Sequence, residues 1–499
     1  MLKCAPGAPR ELFRDLDSWD LLNLRSEDIL EIPDRLAREF GISSRFLEST
    51  MEKYIVQSTG MNTLNANWGV KDSPKFLIAS TKHYSWPKGV ALAGIGSDNL
   101  VNVPVDKHSR IDLVALRHAL DHCLAEHQAI YAIVGTIGTT EEGAVDPLAE
   151  IIELREEYQK KGLSFLIHAD IAWGGYFTSA LRDPLAEWNS QWPVSSSSTT
   201  EGAQDASTFD RGYVPTVSLK PYTIHQLEAL KGADSVTIDP HKSAYCPYPA
   251  GGLCYRDRRL RHLLTWSAPY IQHGKRGEDI GIHGVQGSKP GAAAASVYMH
   301  HSMIGLHNQG HGGLLGEVSF TRARMAAHWA TISDCSTPYI VVPFNPLRFE
   351  ESPYSADADA VESEKEFIRT RILGRSNEDI VKDPDPGVLA ELRSLGSDLN
   401  INAFVCNFRL KVTKQKNLNE AITVEAKQRS KLGSGAADPD ANAKEEDGDG
   451  DEQWEWVVNV STTTLRKPTT STGVYLIAPP RPILAKIRGR RRCSSPLPS

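Results

Sequence analysis

The chain has 499 residues, enough for two or three domains and a large core. Hydrophobic residues make up 40% and charged residues 23%, the balance of a soluble globular protein, and a net charge of −7 carries no basic excess that would suit nucleic acid. Seven cysteines (Cys4, Cys123, Cys246, Cys254, Cys335, Cys406, Cys493) lie at no short paired spacing, so neither a metal site nor a disulfide framework is implied and the expected compartment is reducing. The opening MLKCAPGAPRELFRDLDSWD becomes charged before a signal-peptide core can form, and no apolar run is long enough to span a bilayer. The expectation is a soluble, cytoplasmic protein with no membrane partner.

Residues 11 to 57 show helical spacing with many charges and predict two amphipathic helices that cover or link something larger. From Lys75 the texture changes. FLIAS, VNVPV (101 to 105), AIYAIVGTIG (129 to 138), LSFLIHAD (163 to 170) and SVTID (235 to 239) are short apolar runs rich in β-branched residues. Helical patterns lie between several of them, including Leu113 to Glu126 and Pro147 to Lys161. That alternation predicts crossover units and a mainly parallel sheet with helices on both faces. Residues 187 to 232, with SSSSTTEGAQDAS at their centre, read as a loop-rich insertion. Ala292 to His301 and Gly312 to Thr331 predict two further helices, and strand-like runs return at Tyr339 to Phe344 and Ile401 to Val412. KLGSGAADPDANAKEEDGDGDE (431 to 452) reads as a disordered insert; Ala443 stands where a calcium loop of the EF-hand type requires glycine, which excludes that motif. The basic tail Arg488 to Arg492 reads as a solvated terminus.

The chemistry centres on SVTIDPHKSAYCPYPAGG (235 to 252). A strand ends at Asp239-Pro240, and His241 and Lys242 sit side by side at the turn. A lysine directly after a buried strand is desolvated, which lowers its pKa and makes its amine a nucleophile, although the stretch alone serves equally well as a surface turn. Asp170, in LIHADIAWGG, stands at the carboxyl end of an apolar strand, where open α/β sheets place their ligands; helix capping is its alternative use. His83, in TKHYSWPKG, follows the strand FLIAS and is either a flat ring for stacking or a hydrogen-bonded core histidine. GTIGTTEEGAVDP (135 to 147) and GVQGSKPGAAAASVY bring hydroxyls and glycines to a strand end and a helix start, positions that suit phosphate oxygens or ordinary caps.

In sequence and order, HYSWPKG, GTIGTTEEGAVDP, HADIAWGGY, SVTIDPHK with YPAGG, and GSKPGAAAAS resemble the pyridoxal-phosphate-dependent group II amino-acid decarboxylases, and most closely the microbial tyrosine decarboxylase branch. The resemblance covers about residues 75 to 330. It implies an α/β fold of the fold type I PLP-dependent transferase kind, a mainly parallel sheet with helices on both faces plus a smaller C-terminal α+β domain. The implied domains are an N-terminal helical segment (1 to 57), a cofactor-binding large domain (58 to 330) and a C-terminal small domain (331 to 499). Carried over, Lys242 resembles the lysine that binds the cofactor aldehyde, Asp170 the partner of the pyridine nitrogen, His83 the imidazole stacked on the ring and Ala172 the small residue on its other face. Thr140 matches a cofactor-contacting hydroxyl, Asp239 and His241 the lysine's neighbours near the phosphate region, and Ser288 a phosphate contact made across a homodimer interface. Tyr270, with Tyr248 as the alternative, corresponds to the protonating tyrosine.

The implied reaction is decarboxylation of an L-amino acid, with an aromatic, tyrosine-like substrate favoured, to the amine and carbon dioxide. Two departures keep other readings open. Ser58 to Lys75 is shorter than the Gly- and Ser/Thr-rich phosphate-holding unit of relatives, with Thr59, Gly60 and Thr63 as its remnant, and the C-terminal region diverges. The alternatives are another pyridoxal-phosphate reaction, such as an aromatic aldehyde synthase or lyase, and a truncated member that acts as a scaffold.

Overall fold

The computed structural model describes residues 11–184, 214–264, 290–334, 336–351 and 358–408. The five apolar runs become strands β1 (Lys75–Ala79), β2 (Leu100–Val103), β3 (Ile130–Thr136), β4 (Leu166–Asp170) and β5 (Ser235–Ile238), and a sixth strand, β6 (Gly252–Tyr255), follows. They form one sheet in the order β2-β1-β3-β4-β5-β6. The first five are parallel, with pairings such as Leu77↔Ile133, Ile133↔Ile167 and Ala169↔Val236. Leu77, Ile78, Ile133, Val134, Ile167 and Ala169 are all buried, so neighbouring residues on opposite faces are both covered. A sheet covered on both faces selects continuous apolar runs rather than alternation, which is why these strands were legible.

β6 was not expected. It follows the YPAGG turn with no crossover helix between it and β5, and it pairs antiparallel, Val236 opposite Cys254. The crossovers elsewhere are helical: α1 (Ser26–Phe40) precedes the sheet, α2 (Ser85–Leu92) and α3 (Leu113–Ala125) flank β2, and α4 (Leu148–Lys160) joins β3 to β4. Asp112 caps α3 by accepting from the N–H groups of Val114 and Ala115. Leu148, Ile151, Leu154 and Tyr158 form the buried stripe of α4, at the i, i+3, i+4 spacing of a helix face.

The stretch from 187 to 232 is corrected in part. Residues 185–213 lie outside the described residues, but α5 (Pro221–Glu228) is a regular helix with proline in its first turn and Thr223, Gln226 and Leu227 buried. Its spacing was overshadowed by the neighbouring serine and threonine run. The N-terminal segment holds more pieces than the two helices expected: Ser18–Leu22, α1, Ser44–Met51 and Val56–Thr59.

Farther along, α6 (Gly291–Ile304) and α7 (His311–Thr331) follow, then α8 (Ala358–Ile368) and α9 (Pro386–Ser394). A second core joins Phe320, Ala323 and Ala327 of α7 to Ile368, Val388 and Leu392. Two units can be distinguished, Met1–Thr331 with Pro343–Phe404, and Ile332–Val342 with Val405–Ser499. The strand-like runs near 340 and 405 are β7 (Tyr339–Pro343) and β8 (Phe404–Phe408), paired in a two-stranded sheet. The insert at 431 to 452 and the basic tail lie outside the described residues. No helix among the described residues is long and apolar enough to cross a membrane.

Candidate active site at the carboxyl edge of the sheet

The chain leaves β1 toward β2 on one side and later enters β3 on the other, so the strand order reverses between β1 and β3. Ligands of open α/β sheets bind at such a switch point, beyond the carboxyl ends of the strands. His83 follows β1, the Gly138–Thr140 turn follows β3, Asp170 ends β4, and Asp239 to Lys242 follow β5. Four parallel strands thus deliver the residues singled out in the sequence to one edge.

Lys242 lies in a tight turn held by its own N–H to the Asp239 carbonyl (2.9 Å) and by the Tyr245 N–H to the Lys242 carbonyl (3.0 Å). Its Nζ is 3.0 Å from Asp239 Oδ2, and His241 Nε2 is 3.7 Å from the same oxygen. The three side chains keep between 14% and 26% of their exposure, so the lysine is half-buried rather than solvated. Ser243 donates to the Trp173 carbonyl, tying the lysine turn to the segment that follows Asp170.

The His83 ring has its Nδ1 2.8 Å from Ser85 Oγ. Burial pushes its pKa below the ordinary value, the Lys242 charge pushes it further, and Asp170 and Asp239 pull it partly back. The imidazole is therefore neutral and shares one electrostatic environment with the lysine and both carboxylates. Asp170 accepts from the Trp86 indole N–H at 2.9 Å through Oδ2 and from the Ala172 N–H at 3.3 Å through Oδ1. Ala172 is half-buried beside it.

The Gly-Gly pair of ADIAWGG has a steric cause. A side chain on Gly174 would place its Cβ 2.3 Å from the Ile137 carbonyl oxygen, the same oxygen that accepts the Gly174 N–H at 2.9 Å. Only glycine lets the β4 exit lie against the β3 exit. Gly138, at φ +97°, is pressed between Leu399 and Trp173 and needs glycine on both conformational and steric grounds.

Two residues missed in the sequence stand in this shell. Trp86 is three positions after His83, one helical turn on, which is the signal that could have paired it with the site. Asn400, far along the chain, accepts from Trp173 Nε1 at 2.7 Å; nothing local in its sequence marks it. Other expected members are less central. Thr140 is exposed, while its neighbour Thr139 is buried and accepts from the Ala144 N–H. Tyr248 is 74% exposed and lies tilted against His241 at 3.8 Å between ring centroids. Thr59 spends its hydroxyl on the Ile55 carbonyl. Tyr270 and Ser288 lie outside the described residues.

Residues 56–203 match the family model described as the pyridoxal-dependent decarboxylase conserved domain. The chain is similar to this decarboxylase family over those residues. The L-tyrosine decarboxylase of Enterococcus faecium is 33% identical over 321 residues, which are 63% of this chain and 49% of that protein. The L-tyrosine decarboxylase of Levilactobacillus brevis is 32% identical over 323 residues, 63% of this chain and 47% of that protein. An aspartate 1-decarboxylase of Aliivibrio fischeri is 31% identical over 216 residues, 43% of this chain and 31% of that protein. The chain spans about half the length of the tyrosine decarboxylases it matches.

The family's cofactor is pyridoxal phosphate, and the residues present fit its ring and aldehyde end. A half-buried lysine, a carboxylate with one oxygen engaged only at 3.3 Å and a neutral imidazole converge on one strand edge. Lys242 would hold the aldehyde carbon and Asp170 the ring nitrogen, with His83 available to stack.

Proposed function

We propose that this chain releases carbon dioxide from an L-amino acid of the aromatic, tyrosine-like class and yields the amine, using pyridoxal phosphate. The observation that carries this reading is the convergence of Lys242, Asp170 and His83 at the carboxyl edge of the sheet, in a chain whose residues 56–203 match the pyridoxal-dependent decarboxylase model. When bound, the cofactor supplies an electron sink for the carbanion left by loss of carbon dioxide.

The protein's part is positioning and proton control. Asp170, as an anion, keeps a proton on the ring nitrogen, without which the ring is a poor sink. Asp239 holds the Lys242 ammonium at 3.0 Å and so aims the amine before it reacts. His83 is a neutral ring, so stacking it on the cofactor buries no charge. Tyr248 lies beside the lysine turn, its ring tilted against that of His241, and is the proton donor we assign among the described residues; Tyr270 is the other tyrosine considered. Ala172 leaves room on the opposite face, and Thr140, Asp239, His241 and Ser288 are assigned to the cofactor's oxygens and phosphate region.

We also propose a cytoplasmic homodimer. Four cysteines among the described residues, Cys123, Cys246, Cys254 and Cys406, are free, which suits a reducing compartment. Helix α6 fully buries none of its residues among the described ones, and Tyr298, Met299 and Met303 are 67%, 59% and 81% exposed, which suits a face covered by a second copy. The activity is tested by offering tyrosine, phenylalanine, tryptophan, dihydroxyphenylalanine and glutamate to the purified chain with cofactor. Amine and carbon dioxide from an aromatic member are expected; aldehyde as the product, or turnover of none, contradicts the proposal.

A further inference from the structure

Asp170 has one rigid neighbour that the reaction chemistry does not call for. The Trp86 indole N–H reaches it across 84 positions of sequence and donates to Oδ2 at 2.9 Å. The indole itself is packed against its neighbours. It meets the His168 ring edge-on at 5.5 Å and 64°, lies tilted against Phe76 at 6.3 Å, and packs on the cluster of Ile78, Val90, Leu100 and Val134. His168 is pinned in turn, Nδ1 at 2.8 Å from Ser235 Oγ and Nε2 at 3.1 Å from Thr237 Oγ1, both on β5, the strand that leads to Lys242.

An aspartate's terminal torsion is broad, so a carboxylate at a strand end is not oriented by its own rotamer. A charge-assisted hydrogen bond from a packed indole fixes it. We infer that Trp86 is a positioning residue for Asp170: it clamps Oδ2, sets the carboxylate plane and leaves Oδ1 for the ring nitrogen of the cofactor. The inference rests on the reading of Asp170 given above. Removing the donor leaves a half-buried carboxylate with one hydrogen bond fewer and a plane free to turn, so that it no longer holds the proton on the ring nitrogen as well.

The test uses the full chain, freed of cofactor and titrated with pyridoxal phosphate carrying nitrogen-15 in its ring. Trp86→Phe keeps an aromatic ring against Phe76 and His168 but has no donor. Its cofactor affinity is expected to fall about tenfold, as loss of one hydrogen bond to a charged group predicts. The ring-nitrogen resonance is expected to move toward the unprotonated position, and kcat to drop with KM little changed. Trp86→His, which restores a ring N–H, recovers part of each. A folded Trp86→Phe with wild-type affinity and an unmoved resonance overturns the inference alone; a wild-type chain that takes up no cofactor overturns both it and the proposed function. Should Trp86→Phe not fold, indole-labelled wild-type chain is compared with Asp170→Asn: a displaced Trp86 indole resonance is expected, and an unmoved one overturns the inference.

Discussion

Asp170, half-buried, and His311, fully buried, show how differently two ionisable groups behave in this chain. Asp170 keeps its charge useful by lending one oxygen to Trp86 and holding the other almost free. Asp170→Ala is expected to lower turnover by several orders of magnitude while the chain still folds, as a neutral pyridine is a poor electron sink; near-normal turnover would count against the role. His311 is fully buried at the start of α7, and neither ring nitrogen has a hydrogen-bond partner among the described residues. Burial, with His300 and His301 beside it, pushes its pKa down to about 4, and its ring neighbours are Tyr176, His300 and His301. The unfolded chain binds that proton already below about 6.5. Folding stability is therefore complete above pH 6.5 and is lost as pH falls toward 4, by up to roughly 3 kcal/mol from this residue. His311→Leu should flatten the fall in melting temperature between pH 7 and 4.5; an unchanged slope would contradict the assignment.

At the scale of elements, the site depends on a segment distant in sequence. Residues 395 to 402 lie across the exits of β3 and β4. Leu399 lies against Gly138, Asn400 takes the Trp173 N–H, and Asp398 accepts two hydrogen bonds from Arg110 (2.9 and 2.6 Å) and one from the Val145 N–H (3.0 Å). Asp398→Ala breaks a largely buried ion pair and is expected to cost about 3–5 kcal/mol in urea unfolding; a loss below about 1 kcal/mol would show that the strap is not held this way. This strap also marks where the sequence stopped being readable. The strands and their exits were legible because apolar runs, Asp-Pro and Gly-Gly are local signals with local causes. Asn400 and Asp398 act over more than two hundred positions, and α5 was masked by its serine-rich neighbour. Trp86 was within reach, one turn after His83, but its hydrogen-bond partner is fixed only by the pairing of β1, β3 and β4.

For the whole molecule, the proposed dimer follows from α6, whose Tyr298, Met299 and Met303 are exposed among the described residues. Met303→Glu should shift the chain toward monomer in sedimentation, and wild-type chain sedimenting as monomer would remove the dimer from the account. His300 Nε2 lies 2.5 Å from the Ala244 carbonyl, two residues past Lys242, so α6 also touches the lysine turn directly. The central claim, that Lys242 at the carboxyl edge of the sheet holds pyridoxal phosphate, is tested most directly by adding cofactor to the purified chain, reducing with borohydride and mapping the labelled peptide. The account predicts a visible band bleached by borohydride, a label on Lys242 alone, and no band in Lys242→Ala. A label on another lysine, or an unchanged spectrum in Lys242→Ala, would contradict it.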